Sequence, residues 1–376
     1  MNGPAEGIIG DVPGETAARI AAAQQEFSPA NVYLNTATAG LPPRRTVDAV
    51  RAALDDWQRG LTVPSNFDAD VARSRDLYAQ LVDIAPTHVS VGSQASVFAG
   101  LVAASVPDGA EILTVRGDFT SVLFPFLAQA ERGVRVREVE LGDLVDGIGP
   151  ETYLVAVSAV QSGSGEIADL DGLAQAVANG TRVYLDTTQA VGWLPIDAAS
   201  YTWTVCSGYK FLLAPRGTCF ATTTEAEHAV IPHTAGWYAG DDIWNSIYGT
   251  PLRLADDARR FDVSPAWFSW VGQAQSLELL TDVGRSSLYR HATRLAAAFE
   301  TRMGLPVSGS AIVSLPATDG MAERLREAGI ACAQRAGRTR VSFHVHNTLA
   351  DVDALVSAYA SGPYSRAISG ESSQPS

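Results

Sequence analysis

The sequence predicts an α/β protein: a mostly parallel sheet sandwiched by helices, followed by a smaller α+β C-terminal domain. Three observations carry that expectation. Short β-branched runs alternate with helix-like stretches over most of the chain, the pattern of βαβ units and a parallel sheet covered on both faces. After about residue 261 the alternation gives way to a helix, two strand-like runs and a closing helix. The 376 residues, 46% hydrophobic and 18% charged, are enough for a large core in one big domain or two.

Along the chain, residues 1–29 are small or polar and are expected to form an extension outside the core. A large domain is expected over 30–260. In RTVDAVRAALDDWQRG, Val47, Val50, Leu54 and Trp57 recur at helical spacing and mark an amphipathic helix. HVSVG precedes a helix of small residues from about Ser96, and EILTV, VRVREV, TYLVAVSAV, TRVYLD and WTVCSG follow as strands. A smaller domain is expected over 261–362. There SSLYRHATRLAAAFE sets Leu288, Ala292, Leu295 and Phe299 on one helix face. IVSL and TRVSFHV read as strands, and DVDALVSAY closes the domain as a helix. Residues 363–376 form a polar tail.

Composition excludes several functions. A net charge of −14 argues against a nucleic-acid partner or an anionic membrane surface. No apolar run reaches the length of a membrane span. The first 29 residues lack the basic and apolar regions of a secretory signal. Cys206, Cys219 and Cys332 are odd in number and lack metal-ligand spacing, which fits free thiols in a reducing, cytoplasmic setting and no metal. Neither G-x-G-x-x-G nor a P-loop is present.

One residue departs from the pattern of the basic side chains. Lys210, in CSGYKFLLAPRG, is the only lysine among 27 basic residues. Arginine serves as a surface cation and keeps its proton, whereas lysine can lose its proton and form Schiff bases with carbonyl groups. A lysine retained where arginine is used everywhere else is a candidate for amine chemistry; chance retention at the surface is the alternative.

In a parallel α/β sheet, ligands bind outside the carboxyl ends of the strands. Asp186 ends VYLD and is followed by TTQ with Gln189; an acid there either needs a cationic partner or caps a helix. SQAS after VSVG offers the amides of a helix start to an anion, or is a plain capping turn. RGDFTS after LTV brings Phe119 to the same edge, as core or as a platform. Together these residues describe one ligand, with a phosphate at Ser96 and Ser207, a flat ring under Phe119, a basic ring nitrogen at Asp186 and an aldehyde at Lys210. That ligand is pyridoxal 5′-phosphate.

From YLNTATAGLPP (33–43) to RVSFHVHNTLADVDAL (340–355), the chain resembles the fold-type-I pyridoxal-phosphate enzymes of the class V aminotransferase group. The group includes cysteine desulfurases, isopenicillin-epimerase-like proteins and C–S lyases. YLDTTQAVG, CSGYK…PRG, ARRFDVSP and RVSFHVHNT carry the likeness. The resemblance implies that Lys210 forms the Schiff base, Asp186 partners the pyridine nitrogen and Phe119 stacks on the ring. It implies that Gln189 lies beside the phenolic oxygen. Ser96 and Ser207, supplemented by the amides around Ala95, are implied at the phosphate, Tyr209 is implied beside the cofactor, and either Gln161 or Ser162 faces it. Arg340, with Asn35, is implied at the substrate carboxylate. RRFDVSP resembles a segment that enters a neighbouring subunit's site, which implies a homodimer with Ser264 reaching across.

The departures bear on the reaction. Desulfurases place histidine where this chain has Phe119, and many relatives have histidine where it has Tyr209. GIACAQRAGRTRVSF is too short for the desulfurase cysteine loop, so Cys332 is read as a buried core thiol. The expected activity is β-elimination on an S-substituted cysteine, a C–S lyase, with transamination next, then desulfuration, epimerisation or decarboxylation. A non-catalytic pyridoxal-phosphate module is the alternative from another class. Trp237, Tyr238, Trp244 and Tyr248 are read equally as pocket lining or as core.

Overall fold

A computed structural model describes residues 14–224, 230–335 and 337–360. The expected tail and residues 1–13 of the extension lie outside the described residues. The chain begins with α1 (Gly14–Gln24), a two-residue strand β1 (Val32–Tyr33), α2 (Arg44–Gln58) and α3 (Asp68–Leu81). The alternating part follows: β2 (Val89–Gly92), α4 (Ala95–Ser105), β3 (Glu111–Val115), α5 (Thr120–Leu127), β4 (Arg135–Val139) and β5 (Thr152–Ser158). It continues through α6 (Leu170–Ala178), β6 (Arg182–Asp186), β7 (Trp203–Ser207) and β8 (Cys219–Thr223).

Seven of these strands form one sheet in the order β2-β8-β7-β6-β5-β3-β4. The five strands β3 to β7 pair in parallel, whereas β8 runs antiparallel to both β2 and β7. β6 shows why its residues make a central strand. Val183 and Leu185 bury themselves in one core cluster and Tyr184 in the cluster on the opposite face, the two-residue alternation of a strand covered on both sides. The edge strand β4 leaves Arg135 and Glu138 exposed, and charge there discourages pairing with another chain.

The smaller domain follows α7 (Trp267–Val283) and α8 (Arg285–Arg302) with β9 (Ile312–Pro316), α9 (Met321–Glu327), β10 (Ile330–Ala331), β11 (Ala333–Arg335), β12 (Arg338–Ser342) and α10 (Leu349–Ala360). β11, β12 and β9 form an antiparallel sheet, and β10 pairs in parallel with β1. Leu288, Ala292, Leu295 and Phe299 all become buried, as their spacing predicts.

Two expectations need correction. Residues 14–24 do not lie outside the core: Ile20 and Ala23 are buried in the large-domain cluster, because α1 lays its few apolar residues against α7 and α8. A boundary near 261 does not separate the two cores either. α7 contributes Trp270, Leu277 and Leu280 to the large-domain cluster, while Leu34 from the N-terminal segment belongs to the small-domain one. The amphipathic helix expected from Val47 to Trp57 is α2, packed on α7, yet Leu54 is 41% and Trp57 61% exposed.

Candidate active site

The carboxyl ends of β5, β6 and β7 open on a cavity of about 150 Å³. Lys210 lies just past β7 and lines it. The residue is only 6% exposed, and its amine has no hydrogen-bond or ion-pair partner among the described residues. Burial pulls its pKa down to about 8, a fall that Asp186 opposes and Arg340 deepens. Its turn is held by close packing. The N–H of Gly40 donates to the Tyr209 carbonyl at 2.7 Å, and a Cβ at Gly40 would stand 2.2 Å from the Lys210 carbonyl, so only glycine fits.

Asp186 ends β6, level with Ser158 on β5. Its carboxylate is buried and accepts the Thr188 N–H at 2.8 Å. Burial raises its pKa, against the opposing pull of the Thr188 bonds and the Lys210 charge. Gln189 donates from Nε2 to the Ala37 carbonyl at 3.0 Å and to Ser162 Oγ at 3.1 Å, and its Oε1 is buried without a partner. The Phe119 ring stands 5.2 Å from the Lys210 amine, and the Tyr209 ring 5.7 Å. Ser207, Ala95 and Ser162 complete this group of cavity-lining residues.

Arg340 comes from β12 of the small domain and is 2% exposed. It donates from Nη1 to the Ser162 carbonyl and Oγ and from Nη2 to Thr38 Oγ1 at 2.8 Å. No carboxylate pairs with it among the described residues. Burial, then the Arg335 charge, lowers its pKa to about 10, so it stays a cation at neutral pH.

The structure separates the two alternatives at 161–162. Ser162 lines the cavity, while Gln161 donates to Asp118 Oδ2 at 3.3 Å. Ser96 is half-buried in the first turn of α4 and does not line the cavity; its neighbours Gln94 and Ala95 do. Asn35 also stands outside the lining, bridged to Ser342 with a buried, unpartnered Oδ1. Ser264 is exposed and does not reach this chain's own cavity. The segment before it is pinned at Asp262, which pairs with Arg75 at 2.6 Å.

Cys332 is half-buried at the margin of the small-domain core rather than fully buried; it lies between β10 and β11, where the chain passes from the β1–β10 pair to the three-stranded sheet. None of Trp237, Tyr238, Trp244 and Tyr248 lines the cavity. Tyr238 and Trp244 both donate to Asp68, at 2.9 and 2.7 Å, and Tyr248 is 86% exposed.

Sequence reasoning passed over Asp118, Ser158, Thr188, Arg216 and Thr38. Asp118 accepts from the Ser158 and Phe119 N–H groups at 2.8 and 2.6 Å, so it orients the aromatic face. Its signal was present in RGDF, an acid just past an apolar strand. A larger cavity of about 750 Å³ lies between residues 141–146 and 164–169 of the large domain and β9; none of the strand-end residues lines it. Among the described residues no three His, Cys, Asp or Glu side chains gather as for a metal ion. No helix there is long and apolar enough to cross a membrane.

Residues 32–309, well over half of the chain, match the family described as Aminotransferase class-V. The chain belongs to this family. Its fold is similar to that of the cystine C–S lyase C-DES, solved with its reaction product cysteine persulfide. That likeness has a TM-score of 0.79 and 18% identity and covers 88% of this chain and 97% of that one. The cysteine desulfurase CsdA from Escherichia coli matches with a TM-score of 0.75 and 20% identity over 96% and 99%. The apo cysteine desulfurase from Thermococcus onnurineus NA1 matches with 0.76 and 18% over 88% and 94%. No curated protein matches by sequence. This class-V family member thus has a mostly parallel sheet with flanking helices and a small C-terminal sheet domain.

Proposed function

We propose that this class-V family member uses pyridoxal 5′-phosphate to act on an α-amino acid, and that its reaction is β-elimination of an S-substituted cysteine. The observation that carries this reading is Lys210, a sole lysine held as a buried amine with a pKa near 8 and no hydrogen-bond or ion-pair partner among the described residues. The residues around it fit the group. Asp186 is a desolvated carboxylate lacking a bonded cation, and Gln189 Oε1 is an orphaned buried acceptor. A related solved structure, a C-DES lysine mutant with glycine covalently linked to the PLP cofactor, holds that cofactor on the same fold.

When bound, the cofactor supplies an aldehyde and a ring that accepts electrons. Asp186 would hold the ring nitrogen's proton, since an opposite charge repays its own desolvation. Phe119 offers an apolar face, and Ser207 with the Ala95 and Ser96 amides at the start of α4 would hold the phosphate. Arg340 would take the substrate carboxylate as a two-pronged donor, with Asn35 beside it. Lys210 Nζ, with its pKa lowered to about 8, would take the α-proton and would pass it to the departing thiolate as the C–S bond breaks. A good leaving group on the β-carbon then departs without any enzyme nucleophile.

The cysteines support elimination over desulfuration. Burial raises the thiol pKa of Cys206, Cys219 and Cys332 alike, which suppresses the thiolate that would attack sulfur. A homodimer is part of the reading, supported by the exposed Ser264 and the uncovered Leu54 and Trp57 on α2.

The test is product analysis on the purified holoenzyme. Borohydride should fix the cofactor to the Lys210 peptide. S-substituted cysteines should then give pyruvate, ammonia and the free thiol in equal amounts. A keto acid that retains its side chain, with amino transfer to an acceptor, would make the enzyme a transaminase. A persulfide trapped on Cys332 would make it a desulfurase.

A further inference from the structure

The carbonyl that follows the catalytic lysine is held from the other domain. Within the Lys210 turn, the Tyr209 carbonyl accepts from Gly40 N–H at 2.7 Å and the Lys210 carbonyl from Leu213 N–H at 3.0 Å. The Phe211 carbonyl is met instead by His344 Nε2, at 2.8 Å. His344 Nδ1 accepts the Val345 N–H at 2.6 Å, so the proton sits on Nε2 and that nitrogen is the donor. The His344 ring also stacks on the Phe211 ring, with centroids 5.5 Å apart and planes at 20°.

His344 lies four residues beyond Arg340 in the same segment. That segment is tied down between them. Ser342 N–H donates to the Leu34 carbonyl at 2.9 Å and Phe343 N–H to the Ala311 carbonyl at 2.9 Å. Asn347 Oδ1 accepts from His344 N–H at 2.9 Å. One short rigid stretch therefore carries the guanidinium beside the cavity at one end and a bond to the lysine turn at the other.

We propose that His344 is a positioning residue: its Nε2–H bond to the Phe211 carbonyl sets the Lys210 amine in register with Arg340. The bond joins the two domains where substrate carboxylate and amine must be held a fixed distance apart. Without it, the buried carbonyl has lost its donor and the turn must shift to find another. The proposal builds on the amine role assigned to Lys210 but not on the identity of the cofactor.

The test uses the full chain in its cofactor-free form, labelled with isotopic lysine, which gives a single side-chain signal because Lys210 is the only lysine. In the wild type that signal should titrate near pH 8. His344→Phe keeps the ring stack and removes the donor. Its titration should move up toward the ordinary lysine value as the turn loosens and water enters. Reaction of the amine with a simple aldehyde at neutral pH should slow by about tenfold, the scale of one lost buried hydrogen bond. His344→Gln, whose amide nitrogen reaches the Nε2 position, should restore both readings; His344→Asn, one methylene shorter, should not. An unchanged Lys210 titration and aldehyde rate in folded His344→Phe would overturn the proposal. So would a His344→Gln protein no better than His344→Asn at equal thermal stability. If His344→Phe does not fold, the Gln and Asn pair decides by the same two readings. Failure of the elimination assay with these results intact would count against the proposed reaction only.

Discussion

Lys210 lines the cavity and Arg340 meets it through Ser162; the two buried cations come from different domains, and among the described residues neither is paired with a carboxylate. Burial penalises the charge of both. It takes the lysine to about 8, where a neutral amine is accessible, and leaves the arginine at about 10, still charged at neutral pH. The same environment thus makes a nucleophile and proton carrier from one side chain and a permanent anion clamp from the other. What differs is the intrinsic chemistry of amine and guanidinium. It also explains why a chain that uses arginine for every other basic residue keeps one lysine.

The largest effect should come from erasing that difference. Lys210→Arg keeps charge and length but removes the titrating amine. It should reduce turnover by at least on the order of 10³-fold, within the range of a positioned acid–base group, and abolish the borohydride-fixed cofactor. Wild-type levels of that adduct in the variant would break the comparison. On the clamp side, Arg340→Ala removes two charge-assisted hydrogen bonds. Amino-acid binding, read by spectral titration, should weaken by roughly 10²- to 10³-fold while cofactor absorbance persists. Arg340→Lys should recover only part of the loss, because the ammonium lacks the fork.

A third experiment sharpens the electrostatics. Asp186 does most, ahead of Cys206, to raise the Lys210 pKa against burial, so Asp186→Asn should move the amine's titration below its wild-type midpoint near 8. An upward shift would show that the Asp186 charge does not support the protonated amine. Smaller in effect is the histidine cluster that braces the small domain. Burial lowers His291 and His346 to about 4 and His344 to about 3, from 6.5. Between those values the unfolded chain binds more protons. Their stability contribution is therefore full above pH 6.5 and is lost as pH falls toward 4, by up to about 1.4 kcal/mol per histidine per pH unit. Thermal unfolding across that window should show the decline, and His346→Gln should flatten it. Least of all, Cys332→Ala should leave activity within about twofold, since its thiol is held protonated.

The strand ends were legible because each joins a local pattern to a chemical type. VYLD followed by TTQ, and WTVCSG followed by YK, place an acid and an amine at the same edge of any parallel sheet. Asp186, Gln189, Ser207, Tyr209, Lys210 and Phe119 do line one cavity. Less legible were residues whose place depends on distant partners. Gln161 and Ser162 are adjacent polar residues with no pattern to separate them. Asp118, on the loop after the neighbouring strand β3, takes the Gln161 side chain and leaves Ser162 at the cavity. Ile20 and Ala23 were misplaced because α1 carries too few apolar residues to announce a buried face, and α7 and α8 supply the missing contact.

By itself the sequence determined the alternating sheet, the edge where ligands bind and the one amine there, because strand periodicity and residue chemistry are local properties. Only the tertiary structure decided that this amine is desolvated, that Arg340 arrives beside it from 130 residues away, and that His344 ties the two together. Those depend on burial and on contacts between domains. A pKa near 8 belongs to the cavity around Lys210, not to the lysine.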